Sequence, residues 1–302
     1  MRYVLGIDAG GTKTRALLAT EAGDVVASAS GGGANLRTHG ELEVEKVLHA
    51  VAEEASTSAG ARPDAVALGI AGAGRPEDAA VLTEILRRIG FRERVAVTND
   101  AHIALVAGSP GRVGVALVCG TGSIAWGRNA AGETARAGGW GWHVGDEGSG
   151  YWIGERAIRQ VLRARDGRGP ATVLENGLRE HFSIEQPEQI VRPIYDGDYP
   201  RHHVALFAVA VERAALAGDA VAARLLEDAA QELTLAARTV VGRLKLEGSP
   251  YDVVLSGGTF RALQTLERAV AEKLAAPGAS VRPLEAEPAT GAVRLAIEEL
   301  RK

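Results

Sequence analysis

The chain is poor in cysteine, lysine and aromatic residues. Cys119 is the only cysteine among 302 residues, so an intramolecular disulfide and a cysteine-based metal site within one chain are excluded. Aromatic residues make up 4% of the sequence. Lysine is also scarce, so arginine supplies most of the positive charge; the lysines are Lys13, Lys46, Lys245, Lys273 and Lys302.

Neither charge nor hydrophobicity indicates a macromolecular or membrane partner. The formal net charge is −4, which gives no overall basic character for binding nucleic acid or anionic lipid. Residues 3–8 start an apolar segment without a charged leader, and no apolar run is long enough to cross a bilayer. We therefore expect a cytoplasmic protein with neither nucleic-acid nor membrane partners, and one large or two medium domains.

Short apolar segments alternate with segments of helical spacing, which predicts an α/β protein. Strands are predicted at residues 3–8, 14–20, 24–29, 65–70, 94–99, 114–119, 124–127 and 251–255. Helices are predicted at residues 41–59, 78–89, 101–107, 151–164, 171–181, 261–275 and, after residues 288–291, to the end, with a helical hairpin over 203–246 broken at residues 218–219.

Two parts of the chain repeat the same turn chemistry. An apolar strand runs into a glycine turn at Gly11 and again at Gly120, and a second turn glycine follows twelve residues later, at Gly23 and Gly132. Matching turns at matching spacing predict a duplicated strand–turn–strand–turn–strand unit.

A third glycine turn follows the strand at 251–255, so three turns could bind anions, at residues 8–14, 120–123 and 256–259. Successive backbone N–H groups in such turns cradle phosphates, but one such turn alone is more often a plain hairpin. Gly6 and Gly11 match the Walker spacing, yet Thr12 stands where lysine is required and a strand follows, which excludes a P-loop.

The order and spacing of the three turns resemble the actin-like ATPase superfamily, in which two glycine hairpins hold nucleotide phosphates and a third turn supports adenosine. Within it, the chain resembles N-acetylglucosamine kinases of the BadF/BadG/BcrA/BcrD ATPase family, through Gly-Gly-Trp-Gly at 138–141, Gly-Asp-Glu-Gly-Ser at 145–149 and Thr-Asn-Asp at 98–100. The sugar kinases with a cysteine-rich zinc motif are a poorer match, because that motif cannot be built from one cysteine.

The resemblance implies a two-lobed actin-like ATPase fold of duplicated ribonuclease H-like domains, with an active-site cleft between the lobes. The N-terminal lobe is expected over residues 1–112 plus 289–302 and the C-terminal lobe over residues 113–288. Homodimers are common among such proteins, and we expect one here.

The resemblance also implies transfer of the γ-phosphate of ATP to the 6-hydroxyl of N-acetylglucosamine. Asp100 is the expected general base and a sugar contact, with capping of the helix at Ala101 as its alternative role. Asp8 is expected to hold Mg²⁺. Nucleotide contacts are expected at Gly10, Gly11, Thr12, Lys13, Thr121, Gly122, Gly257, Gly258 and Thr259, and further sugar contacts at Asn35, Gly139, Trp140, Gly141 and Asp146.

Residues 139–152 hold three of the four tryptophans, five glycines and the Asp146-Glu147 pair. Aromatic rings pack on sugar C–H faces and carboxylates accept from sugar hydroxyls, which suits one wall of a sugar site. A hinge loop whose tryptophans only fill space is the alternative. Glu147 is either a second sugar ligand or a structural partner of the next helix.

Rival functions remain open. The acceptor sugar could be glucosamine, glucose or N-acetylmuramic acid. An ATPase activator of a 2-hydroxyacyl-CoA dehydratase has a similar fold, but its iron–sulfur cluster takes two cysteines from each subunit, and Cys119 alone leaves it short of ligands. A non-catalytic regulator that binds ATP or sugar is the third possibility.

Overall fold

The structure is a computed structural model that describes residues 1–73 and 76–302. Its strands are β1 (Tyr3–Ala9), β2 (Lys13–Thr20), β3 (Val25–Gly32), β4 (Ala65–Ile70), β5 (Val95–Thr98), β6 (Gly114–Cys119), β7 (Ser123–Arg128), β8 (Thr134–Gly138), β9 (Tyr251–Ser256) and β10 (Ala279–Pro283). Its helices are α1 (Leu36–Ala59), α2 (Pro76–Arg88), α3 (Asp100–Gly108), α4 (Gly150–Arg165), α5 (Leu174–Phe182), α6 (Val191–Asp196), α7 (Arg201–Leu206), α8 (Ala208–Leu216), α9 (Ala220–Arg243), α10 (Gly258–Ala262), α11 (Gln264–Leu274) and α12 (Pro288–Arg301), with a 3₁₀ turn at Pro187–Ile190. None of the helices described is both long and apolar enough to span a membrane.

The chain forms two compact units. Unit 1 comprises Met1–Ala116 and Pro283–Lys302, and unit 2 comprises Leu117–Arg282. Each is centred on a five-stranded sheet, with strand orders β3-β2-β1-β4-β5 and β8-β7-β6-β9-β10. If the strands of each sheet are numbered along the chain from that sheet's first strand, both sheets have the order 3-2-1-4-5. The predicted α/β class and the predicted duplication are therefore confirmed.

The duplication extends to the hairpin turns. In unit 1 the backbone N–H of Thr20 donates to the carbonyl of Asp24 at 2.9 Å, and in unit 2 that of Asn129 donates to the carbonyl of Glu133 at 3.0 Å. Both turns contain a glycine in the left-handed region, Gly23 with φ 99° and Gly132 with φ 85°. Only glycine adopts this conformation without strain, which explains why the two glycines recur at equivalent positions.

The sheet of unit 1 is buried on both faces, because alternate residues of a strand point to opposite sides. On one face Leu5 and Ile7 pack in a core with α1 and α2. The opposite face is built from smaller side chains and packs against α3 and α12. A Cβ added at Gly6 would lie 2.3 Å from the backbone nitrogen of Val293, so glycine in β1 lets α12 approach the sheet closely.

Several predicted element boundaries need correction. The first helix begins at Leu36 and is broken at Gly40, where φ is 76°. The helical region 203–246 is interrupted at Phe207 as well as at 217–219, and the helix predicted over 261–275 is two helices separated at Leu263, where φ is −115° and ψ is 82°. Strand β10 was not predicted, since it is an edge strand with no buried residue and lacks an apolar alternation.

Candidate active site

The first glycine turn, between β1 and β2, offers unpaired donors. The backbone N–H of Gly10 donates to the carbonyl of Lys13 at 2.9 Å, whereas those of Gly11 and Thr12 find no acceptor in the described part of the chain. Gly11, Thr12 and Lys13 are all exposed. Two consecutive free N–H groups beside a lysine are suited to bind an anion.

Asn35 is held next to this turn. The backbone N–H of the preceding residue, Ala34, donates to the carbonyl of Gly10 at 2.9 Å. The side chain of Asn35 accepts from the backbone N–H of Arg37 at 3.0 Å and donates to the carbonyl of Ala71 at 3.1 Å. Asn35 thus caps helix α1 and has a fixed position beside the turn, so the structure brings this predicted sugar contact together with Gly10.

The predicted metal ligand and the predicted general base of unit 1 follow one edge of its sheet. Asp8 in β1 pairs with Gly69 in β4, which pairs with Thr98 in β5, all in parallel register. Neighbouring strands are about 4.8 Å apart, so the Cα atoms of Asp8 and Thr98 are separated by about 10 Å. Asp100 follows Thr98 by two residues, and the carboxyl ends of parallel strands are a common place for ligands.

Asp100 is the first residue of helix α3. The helix is capped by Asn99, whose side chain accepts from the backbone N–H of His102 at 2.7 Å, while the carboxylate of Asp100 accepts from the N–H of Ala101 at 3.0 Å. The N-cap role considered for Asp100 therefore belongs to Asn99. The position in the first turn favours the ionised carboxylate, because the helix dipole is positive there.

Helix α3 is fixed by close backbone packing. A Cβ added at Gly69 would lie 2.4 Å from Cδ1 of Ile103, and one added at Gly291 of α12 would lie 1.9 Å from the carbonyl oxygen of Ile103. At the other end of α3, Arg294 donates to the carbonyl of Val106 at 2.7 Å. Strand β4 and helix α12 thus hold the helix that presents Asp100.

The second glycine turn, between β6 and β7, also leaves two adjacent backbone donors without an acceptor in the described ranges. The backbone N–H of Gly120 donates to the carbonyl of Gly122 at 2.8 Å, and those of Thr121 and Gly122 find no acceptor among the residues described. Each unit therefore has one hairpin with two adjacent donors available to a ligand.

The third glycine turn is tied directly to the second. The hydroxyl of Thr259 donates to the carbonyl of Gly120 at 2.8 Å, and Thr259 is buried. A Cβ added at Gly257, whose φ is 117°, would lie 2.1 Å from the carbonyl oxygen of Cys119. Gly258 is exposed at the start of α10. The side chain of Thr259 therefore links the third glycine turn to the second.

Asp146 packs against the second glycine turn. A Cβ added at Gly122 would lie 2.6 Å from Oδ2 of Asp146, and the N–H of Gly141 donates to Oδ1 at 3.2 Å. Asp146 is only 9% exposed and adopts a left-handed φ of 58°. Burial raises the pKa of its carboxyl, while hydrogen bonds from the N–H groups of Gly141 and Ser123 oppose this increase.

Trp140 is presented between two left-handed glycines, Gly139 with φ 69° and Gly141 with φ 96°. It is 52% exposed, and the guanidinium of Arg136 lies 4.0 Å from the centre of its ring. One face of the indole is thus covered by a cation, a contact that stabilises both groups. The exposed remainder of the ring is available to a ligand.

The other two tryptophans of the loop have separate arginine partners. Trp152, in the first turn of α4, lies under Arg156 at 4.0 Å, and Trp142 lies 5.8 Å from the guanidinium of Arg201 in α7. Trp142 also contacts Tyr151 edge-to-face, with ring centroids 5.3 Å apart. The tryptophans are therefore not one continuous aromatic wall, since each is supported by a different arginine.

The structure thus groups the predicted site residues within each unit. Sequence reasoning missed Tyr151 and Arg201, because no local pattern connects Arg201 with a loop far from it along the chain. Unit 1 holds Asp8, Gly10, Gly11, Thr12, Lys13, Asn35 and Asp100, and unit 2 holds Thr121, Gly122, Gly139, Trp140, Gly141, Asp146, Gly257, Gly258 and Thr259.

Known proteins resemble this chain over most of its length. Residues 5–296 match the profile of the BadF/BadG/BcrA/BcrD ATPase family. The N-acetylmuramic acid/N-acetylglucosamine kinase of Clostridium acetobutylicum is 35% identical over 269 residues, with 88% of each chain covered. The N-acetyl-D-glucosamine kinase of Dictyostelium discoideum is 30% identical over 312 residues, with 97% of each covered.

A solved structure agrees with these relatives. The crystal structure of a candidate N-acetylglucosamine kinase from Chromobacterium violaceum has a TM-score of 0.76 and 26% identity to this chain, and the match covers 98% of this chain and 99% of that one. The resemblance inferred from the glycine turns and the tryptophan-rich loop is confirmed. The chain belongs to the BadF/BadG/BcrA/BcrD ATPase family.

Proposed function

We propose that the protein is an ATP-dependent kinase that transfers the γ-phosphate to the 6-hydroxyl of N-acetylglucosamine. The observation that carries this proposal is the packing of Asp146 on Gly122 in unit 2. It places an acceptor suited to sugar hydroxyls beside the unpaired N–H donors of a glycine turn suited to phosphate. A sugar kinase must bind both a hydroxylated acceptor and a phosphate donor.

The glycine turns are proposed to hold the nucleotide. The free N–H groups of Gly11, Thr12, Thr121 and Gly122 would bind phosphate oxygens, with Lys13 as a counter-charge. The region of Gly257, Gly258 and Thr259 would support the adenosine. In phosphoryl transfer the protein mainly aligns the reactants and neutralises charge, and fixed backbone donors provide both.

Asp100 is proposed as the general base that accepts the proton of the attacking hydroxyl. Its place in the first turn of α3 favours the ionised, proton-accepting form. Mg²⁺ bound with nucleotide takes one or two carboxylates besides phosphate oxygens and waters. Asp8, beside the first glycine turn, could supply such a carboxylate. The residues described contain no group of three or more metal-ligating side chains. When bound, the metal would neutralise phosphate charge.

The acceptor is proposed to contact Asn35, Asp100, Gly139, Trp140, Gly141 and Asp146. The kinases of C. acetobutylicum and D. discoideum, both named for N-acetylglucosamine, support this acceptor over glucosamine and glucose. A dehydratase activator is disfavoured, because its cluster needs two cysteines per subunit and Cys119 is the only one in the chain. A homodimer and a cytoplasmic location stay predictions.

The test is ADP release by the purified protein with Mg-ATP and N-acetylglucosamine, glucosamine, N-acetylmannosamine or glucose, beside a control without sugar. We expect ADP release that depends on an N-acetylated sugar. Equal release in every reaction, including the control, would mean that the protein hydrolyses ATP for another purpose and would refute the proposal.

A further inference from the structure

Glu212 is a buried carboxylate that the proposed reaction does not use. It lies in helix α8 and is only 6% exposed. Its Oε1 accepts from the backbone N–H of Thr265 at 2.7 Å, whereas its Oε2 is buried and has no hydrogen-bond partner among the residues that the structure describes. A buried carboxylate with an unsatisfied oxygen is costly. An apolar side chain would fill the same space at a lower cost, so packing alone does not explain this residue.

The hydrogen bond from Thr265 supplies the cap that helix α11 lacks. The N-cap residue of α11, Leu263, makes no capping bond with its own side chain. The first N–H groups of a helix have no acceptor within that helix, and a negative charge is favourable at this end of it. Glu212 provides both an acceptor and the charge, across 53 residues of sequence. Helix α8 therefore fixes the start of α11.

The start of α11 is directly connected to the segment proposed to support the adenosine. Helix α10 has five residues and is separated from α11 by Leu263 alone. A helix this short is not stable by itself, so its orientation depends on what holds its two ends. Near its start, the hydroxyl of Thr259 donates to the carbonyl of Gly120 at 2.8 Å. At its other end, the carboxylate of Glu212 holds the first turn of α11.

We propose that Glu212 is a positioning residue for the nucleotide, which acts through Thr265 to hold α10 in the orientation that supports the adenosine. This inference rests on the proposed function, in which Gly257, Gly258 and Thr259 form the adenosine-supporting segment. Glu212 itself does not touch the nucleotide or the reacting atoms. Its loss should therefore weaken nucleotide binding and leave the rate of transfer at saturating ATP unchanged.

The experiment measures the Kd for Mg-ADP by titration calorimetry, together with kcat and the KM values for ATP and N-acetylglucosamine. Glu212→Leu has no acceptor for the N–H of Thr265, so it should raise the Kd for Mg-ADP and the KM for ATP roughly 10-fold. Its kcat and its KM for the sugar should change less than about twofold. Glu212→Gln keeps an oxygen that can accept from Thr265 and should stay within about threefold of the wild-type Kd.

Glu212→Met is measured beside Glu212→Leu, because its flexible side chain packs more adaptably in a core and keeps the test intact if the leucine variant does not fold. Asp219→Ala is the matched control. Asp219 is also a carboxylate that caps a helix of unit 2, since it accepts from the N–H of Ala222 in α9 at 2.9 Å. Its loss should lower the melting temperature and leave the Kd for Mg-ADP unchanged.

An unchanged Kd for Mg-ADP in the apolar variants of Glu212 would overturn this inference. An equal increase in Asp219→Ala would also overturn it, because the effect would then follow from a general loss of stability. Binding by Glu212→Gln as weak as that by Glu212→Leu would show that the acceptor to Thr265 is not what matters, with the same consequence. Absence of turnover with every sugar, with the Kd for Mg-ADP still raised in the apolar variants, would refute the kinase proposal alone.

Discussion

Replacing Gly291 by alanine tests how closely helix α12 must approach helix α3, which begins at Asp100. The added Cβ would lie 1.9 Å from the carbonyl oxygen of Ile103 and 2.9 Å from the backbone nitrogen of Ala107. Contacts below 3.0 Å essentially never occur for real Cβ atoms. Because both obstructing atoms are backbone, no rotamer change can relieve the overlap, and the two helices must separate by about 1 Å or more.

The expected cost follows from two opposing effects. Overpacking a well-packed interface typically costs about 1–3 kcal/mol, and a rigid backbone obstacle puts this site at the upper end. Replacing a helical glycine by alanine stabilises the helix by about 1 kcal/mol. The free energy of unfolding should therefore fall by about 2 kcal/mol, which corresponds to a melting temperature about 4–8 °C lower.

Gly242→Ala is the matched control. Gly242 is also helical, in α9, but it is exposed and a Cβ there would have no neighbouring atom within 4 Å. This substitution should stabilise by about 0.5–1 kcal/mol through propensity alone. Calorimetry of both variants should give shifts of opposite sign, and Gly291→Ala should also lower kcat because Asp100 moves. A Gly291→Ala protein that melts at or above the wild-type temperature would refute the packing argument.

Three further predictions concern single side chains. Asp146→Asn should be more stable than wild type at neutral pH, since burial raises the carboxyl pKa. This advantage should shrink as pH falls toward the ordinary value of 3.8, where the wild-type carboxyl is protonated; a pH-independent difference would contradict it. Cys119 is buried, which raises its thiol pKa, so a thiol reagent should label it only after unfolding, and native labelling would disprove the burial. Asp100→Asn should lower kcat by roughly 10²–10⁴-fold while ATP still binds, and retained turnover would reject Asp100 as the base.

The duplicated architecture was predictable because its signals are local. The turn glycines Gly23 and Gly132 have the same left-handed conformation in the two units, and the strands that precede them, β2 and β7, are mostly buried. The left-handed turn conformation depends on residues that are adjacent in the sequence. The spacing of glycine along the chain therefore predicts it.

The reasons for other glycines were not predictable. The glycine turns were expected to cradle phosphates, yet at Gly122 the space that a Cβ would occupy is taken by the carboxylate of Asp146, and at Gly257 by the carbonyl of Cys119. These contacts join segments far apart in the sequence, and no local pattern specifies them. The contact between Arg201 and Trp142 also joins segments that are far apart in the sequence.

The most direct test of the account is the identity of the reaction product. N-acetylglucosamine and Mg-ATP are incubated with the protein, and the sugar product is purified and examined by phosphorus–proton correlation NMR. We predict a sugar monophosphate whose phosphorus couples to the two C6 protons. Coupling to the anomeric proton, or release of free phosphate with the sugar unchanged, would contradict it.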